Sequence, residues 1–191
     1  MNLEKTQTPS AAAQLRSRAE LAAEILGRRA GESRRMITTA ESLTGGLVSE
    51  LITSVPGSSG WFDRGFVTYQ VAAKIEMIDV PAETIEAAGV VSEPVAEAMA
   101  RGALASSLAD LAVALTGVAG PSGGTATTPV GTVAIGWAER TPEGAVVTSV
   151  RTIHAPGGRR EVRLAAALTA LQGLIALIDG ADPMRMPCEF D

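Results

Sequence analysis

Thr38-Thr39-Ala40-Glu41-Ser42-Leu43-Thr44-Gly45-Gly46 stands between two different hydrophobic patterns. Upstream, Met36-Ile37 and the two β-branched threonines read as the end of a strand. Downstream, Leu47, Val48, Leu51 and Ile52 recur at helical spacing. A strand running into a helix through a turn is the repeating unit of an α/β protein. This turn carries two hydroxyls, a carboxylate and a glycine pair. Gly45-Gly46 lets backbone approach a ligand closely, and a helix start offers unpaired N–H groups to negative charge. Ser42 is the candidate nucleophile. The ordinary role of Ser42 or Thr44 here is to cap the helix, and the segment by itself favours that role.

Working outward, Ser10 caps a helix to about Arg29, with Leu15, Ala22, Ile25 and Leu26 inward and Leu21 at its edge. After the Ser42 turn, a helix ends before Pro56, and Pro56-Gly57-Ser58-Ser59-Gly60 is a turn. Trp61 to Tyr69 reads as a second strand, with Phe62, Val67 and Tyr69 inside. Lys74 follows in the first turn of the next helix. Pro81 to Gly89 is a short helix, and Ser92-Glu93-Pro94 opens a longer one to about Leu108. The apolar run Leu111–Thr116 is a strand covered on both faces. It leads into the glycine-rich loop Gly117–Gly124. Pro129-Val130-Gly131 begins a strand through Trp137, which a turn near Pro142-Glu143-Gly144 joins to Val146–Ile153 as a hairpin. A final helix starts at Arg159.

Length and composition narrow the function. The 191 residues are 46% hydrophobic but only 3% aromatic, so one domain with an aliphatic, alanine-rich core is expected. A net charge of −5 argues against nucleic-acid binding, which needs a basic face. The polar N-terminus reads as no signal peptide. Leu164–Ile178 is shorter than the roughly 20 residues of a membrane span and reads as a buried helix. Cys188 is the single cysteine, which fits the cytoplasm and leaves no disulfide framework. With one histidine, His154, and one cysteine, no His/Cys zinc site can be assembled. Lysine is scarce too. Only Lys5 and Lys74 occur among 16 basic residues, and Lys5 sits in an expected free terminus. A buried lysine can lose its proton and act as a base, whereas arginine effectively cannot. Composition leaves Lys74 open between a base and a surface survivor.

Two loops suit anions or polar ligands. Gly117–Gly124 follows a buried strand, the end at which open α/β sheets bind ligands. It lacks Gly-Lys-Ser/Thr and Gly-x-Gly-x-x-Gly, so ATP hydrolysis and dinucleotide binding lose support. The second is Gly157-Gly158 with Arg159 and Arg163, placed i, i+4 on one helical face where both can grip a phosphate. Basic residues in a first turn oppose the helix dipole, which favours an anionic partner over a merely solvated face.

Several ordered blocks resemble the CinA C-terminal domain family, which includes nicotinamide-nucleotide amidases. They are Thr39–Gly46, Val55–Ser59, Arg64–Tyr69, Gly89–Glu93, Thr116–Pro121 and Pro129–Val133. The similarity runs from about Glu20 to Leu177. It implies a three-layer α/β/α sandwich around a mixed, mostly parallel sheet. One domain over residues 10–180 is expected, with flexible tails at 1–9 and 181–191 and no room for the molybdopterin-like domain of longer members.

The resemblance further implies hydrolysis of nicotinamide mononucleotide to nicotinic acid mononucleotide and ammonia. Ser42 would be the nucleophile and Lys74 its base, with Tyr69 relaying or orienting the proton and no metal or cofactor. Amides around Thr44-Gly45-Gly46 would stabilise the oxyanion, with Glu41 beside the substrate. The loop holding Thr116, Gly117, Ala119 and Gly120 would take the nucleotide, and Arg159 or Arg163 its phosphate. The partner is then a small pyridine mononucleotide, not nucleic acid or membrane, and the apolar last helix suits a homo-oligomer. Two departures stand out. The family often reads Tyr-Ser-Asn-Glu-Ala-Lys where this chain has Tyr69-Gln70-Val71-Ala72-Ala73-Lys74, and Thr128 replaces a lysine often found before Pro-Val-Gly. They keep a second reading open: a non-catalytic module that binds a nucleotide or partner.

Overall fold

The structure, a computed structural model, describes residues 9–191. Its elements are α1 (Ala11–Ser33), β1 (Ile37–Glu41), α2 (Leu47–Thr53), β2 (Phe62–Val67), α3 (Val71–Ile78), α4 (Ala82–Ala88), α5 (Glu93–Ala105), β3 (Leu111–Gly117), β4 (Thr132–Arg140), β5 (Val146–His154) and α6 (Arg159–Ile178). Local chemistry accounts for several boundaries. Ser10 caps α1 by accepting from the Ala13 amide, and Ser92 caps α5, which carries proline in its first turn. α1 runs four residues past the expected Arg29 and ends at Arg34 in a left-handed conformation.

The five strands form one sheet in the order β2-β1-β3-β4-β5. β1 pairs in parallel with β2 and β3, and β4 pairs antiparallel with β3 and β5. Four strands therefore run one way and β4 alone runs back, which is the expected mixed sheet. Helices cover both faces. α1, α2 and α6 pack on one, with Ile37, Leu111, Val113, Leu115, Ile135 and Trp137 beneath them. α5, with α3 and α4, packs on the other against Ala40, Ala112, Ala114 and Ala138. Along β3, large residues alternate with alanines. The alanine face lets α5 approach so closely that a Cβ on Gly136 would sit 2.5 Å from the Ala96 carbonyl.

α6 reaches 20 residues, longer than its apolar segment, and is long and apolar enough to cross a membrane by length and composition. Here its apolar positions are buried, from Val162 to Leu174, within the core shared with α1. Trp137 donates through Nε1 to the Ala170 carbonyl at 3.0 Å, and its ring fills the space over Gly173.

Three expectations change. Val67 and Tyr69 are not inside; they are 46% and 53% exposed, Val67 as the last residue of the edge strand β2 and Tyr69 in the loop beyond its end. The 181–191 segment is not free. Its Phe190 carbonyl accepts from the His154 amide at 2.7 Å, and the buried Arg151 donates to the carbonyls of Met184 and Met186. Such bonds cover the outer edge of β5. Of the expected N-terminal tail, residues 1–8 lie outside the described residues, while the Pro9 carbonyl accepts from the Gln14 side chain.

Candidate functional site

β1 and β3 lie side by side in parallel, so Ser42 and Gly117 emerge together at one edge of the sheet. A cleft of about 260 Å³ opens there, lined by Ser42, Leu43, Tyr69, Gln70, Val71, Val90, Val91, Thr116, Gly117, Ala119 and Arg159. This is the position at which open α/β sheets bind ligands. Valines form much of the wall, and Arg159 stands among the lining residues as a fixed positive charge.

Ser42 is not a helix cap. Lys74 Nζ lies 3.1 Å from Ser42 Oγ, 2.7 Å from the Thr68 carbonyl oxygen and 3.4 Å from that of Tyr69. The lysine is fully buried and has no carboxylate partner among the described residues. Burial disfavours the ammonium and lowers the lysine pKa to about 8. It reaches the serine because α3 begins directly after Tyr69 and Lys74 lies on its inward face, beside Ile78.

The capping role falls to Glu41. Its carboxylate accepts from the amides of Gly46 (2.9 Å), Val48 (3.0 Å) and Ser49 (2.8 Å) and from the Ser49 hydroxyl (2.7 Å). It is fully buried and absent from the cleft wall, so the expected contact with substrate is replaced by a structural one. A negative charge at the start of α2 satisfies orphan donors and complements the helix dipole. Only the fold could reveal this, because a cap normally follows the strand rather than ending it.

Two of the three amides expected around an oxyanion are already engaged within the turn. Gly45 N–H donates to the Ser42 carbonyl at 3.0 Å and Gly46 N–H to Glu41, so both are occupied. Among the described residues, the amides of Leu43 and Thr44 carry no hydrogen bond, and of these two residues only Leu43 lines the cleft. The glycines serve the turn itself, with φ of 56° at Gly45 and 95° at Gly46. Thr44 is fully buried, its hydroxyl without a partner, and does not line the cleft.

Tyr69 does not relay a proton in this arrangement. Its phenol meets Arg159 Nη2 at 3.3 Å, and only its main-chain carbonyl approaches Lys74. The two arginines part company. Arg159 lines the cleft and donates to the Gly120 carbonyl at 3.0 Å. Arg163 donates to the Thr44 carbonyl at 2.6 Å and faces a separate small cleft with Arg16 and Arg160. Thr116, Gly117 and Ala119 reach the cleft as expected; the Thr116 hydroxyl is engaged by the Val90 carbonyl, and Gly120 acts only through Arg159. Leu43, Gln70, Val71, Val90 and Val91 are wall residues that lay within the resembling blocks or the departures from them but were not assigned to the site. Among the described residues, no group of three or more His, Cys, Asp or Glu side chains is gathered as metal ligands.

Comparison with known proteins bears on the family and the fold. The sequence profile of the CinA C-terminal domain matches residues 19–178. A nicotinamide-nucleotide amidohydrolase PncC of Escherichia coli K12 is 49% identical over 138 residues, 72% of this chain and 81% of that protein. A CinA-like protein of Chlorobaculum tepidum is 47% identical over 144 residues, 75% of this chain but only 34% of its own length. The chain thus spans about a third of that relative. The crystal structure of competence/damage inducible protein CihA from Agrobacterium tumefaciens superposes with a TM-score of 0.76 at 42% identity, covering 93% of this chain and 99% of that one. The chain belongs to the CinA C-terminal domain family.

Proposed function

We propose that this protein hydrolyses the carboxamide of nicotinamide mononucleotide to the carboxylate, releasing ammonia, with Ser42 as nucleophile and Lys74 as its base. The observation that carries the reading is the short approach of a buried, carboxylate-free Lys74 to Ser42 Oγ. As a neutral amine, Lys74 has two N–H bonds to give to the Thr68 and Tyr69 carbonyls. Its lone pair is then left facing the serine hydroxyl, which donates to it. The PncC relatives, named as nicotinamide-nucleotide amidohydrolases, support the substrate.

In the proposed reaction Ser42 passes its proton to Lys74 as Oγ bonds to the carboxamide carbon. The resulting oxyanion is met by the free amide of Leu43. The ammonium of Lys74 then protonates the departing nitrogen, the C–N bond breaks, and ammonia leaves an ester on Ser42. Water attacks the ester and gives a proton to Lys74. Lys74 returns it to Ser42 Oγ as the acid product departs. The valine walls suit a flat ring, and Arg159 suits the phosphate.

Incubating purified protein with nicotinamide mononucleotide and measuring ammonia and nicotinic acid mononucleotide tests the reading. Ser42→Ala and Lys74→Arg are each expected to lose about a thousandfold in kcat. Full activity in either variant overturns the dyad. No ammonia from the unaltered chain overturns the amidase reading and leaves the binding module.

A further inference from the structure

We infer that Arg163 is a positioning residue for the nucleophile turn, holding the Thr44 carbonyl so that the Leu43 amide stays turned to the reacting carbonyl. The inference rests on Ser42 being the nucleophile. Seven other arginines (16, 18, 29, 35, 64, 101 and 151) are paired with carboxylates. Arg163 is not. Among the described residues its one hydrogen bond goes to the Thr44 main chain at 2.6 Å, and its Nε is buried without a partner. An arginine committed this way gains nothing from ion pairing; what it does is fix a backbone carbonyl through a charge-assisted bond.

The consequence follows from peptide planarity. In a trans peptide, C=O and N–H point in opposite directions. The Thr44–Gly45 peptide is gripped at both ends, its oxygen by Arg163 and the Leu47 N–H and its N–H by the Ser42 carbonyl. The Ser42–Leu43 peptide is fixed in turn through that same carbonyl. Its Leu43 N–H therefore points away from the internal bond of the turn, on a residue that lines the cleft beside Ser42. A free main-chain N–H beside a nucleophile is a donor for the developing oxyanion. Below the turn, Glu41 holds residues 46–49; on its outer side the Thr44 carbonyl is held by the charged bond from Arg163 and by the Leu47 N–H at 3.2 Å. Two glycines in left-handed conformations directly follow, and without the charged bond only the neutral Leu47 N–H holds this carbonyl against reorientation of the turn.

Arg163 does not line the reaction cleft, whereas Arg159, one helical turn earlier, does. Loss of Arg163 should therefore act on kcat and loss of Arg159 on KM. The test uses full-length Arg163→Met and Arg163→Lys, assayed for deamidation of nicotinamide mononucleotide and for the rate at which a fluorophosphonate probe labels Ser42. Expected are a kcat lowered about ten- to a hundredfold in Arg163→Met with KM within about threefold, parallel slowing of labelling, and partial recovery in Arg163→Lys. Wild-type kcat in Arg163→Met overturns the inference. So does a loss confined to KM, or an equal loss in both variants that tracks lowered unfolding midpoints. If the unaltered chain labels at Ser42 yet releases no ammonia, the amidase reading fails and the labelling rates alone decide the role of Arg163. If it does neither, both fall.

Discussion

At Lys74, the cost of burial and the chemistry proposed for the residue are one quantity. Removing the ammonium from water without a counter-ion lowers its pKa to about 8, so about a tenth of the molecules hold a neutral base at pH 7. If Lys74 is the base, kcat/KM should climb about tenfold per pH unit below about 8 and flatten above it. A profile flat from pH 6.5 to 9 removes Lys74 from the role. Stability should respond with a definite sign. Between about 8 and the unfolded value of 10.5, the unfolded chain binds a proton that the folded one does not, so folding gains as pH rises through that window. Lys74→Met should therefore outlast the parent chain in urea at pH 7, and its advantage should shrink as pH approaches 10.5.

At the scale of elements, single side chains decide whether a helix starts and how closely it packs. α2 is seven residues long and its cap position is glycine without a side-chain bond, so Glu41 supplies the acceptors its first turn needs. Glu41→Ala leaves buried donors unpaired and should cost roughly 3 kcal/mol in urea unfolding. Glu41→Gln, which keeps one acceptor oxygen, should cost less. In α6, Gly173→Ala ought to gain about 1 kcal/mol from helix propensity alone. The added methyl collides with the Trp137 ring, and overpacking of about 1–3 kcal/mol or more should make the change a net loss. A rise in the unfolding midpoint would show that the indole has room to move.

Across the whole molecule, the sheet separates tasks by position. The cleft lies at the ends of β1 and β3, while the C-terminal segment covers β5 at the far edge. Deleting residues 182–191 strips the carbonyl partners from buried Arg151 and exposes that edge. A fall of roughly 5–10 °C in Tm is expected, with kcat unchanged well below the transition. A parallel loss of kcat would show that the two edges communicate.

Element order and type were readable from periodicity, caps and glycine breaks, because those signals act over a few residues. Ser10 and Ser92 declare their helices, and Leu111–Thr116 declares a doubly covered strand. Rarity pointed to Lys74, and family resemblance paired it with Ser42. What the sequence could not express were contacts between residues far apart in the chain. The grip of Arg163 on Thr44 spans 119 positions, and the docking of Phe190 on His154 joins a supposed free tail to an edge strand. Glu41 and Tyr69 show the same limit at short range. A carboxylate or a phenol beside a nucleophile reads as chemistry until the fold shows which direction each faces, since two-residue periodicity turns neighbouring side chains to opposite sides. Local residue chemistry thus determined where strands and helices begin, whereas only the packed sheet decided which polar groups meet substrate and which hold the turn in place.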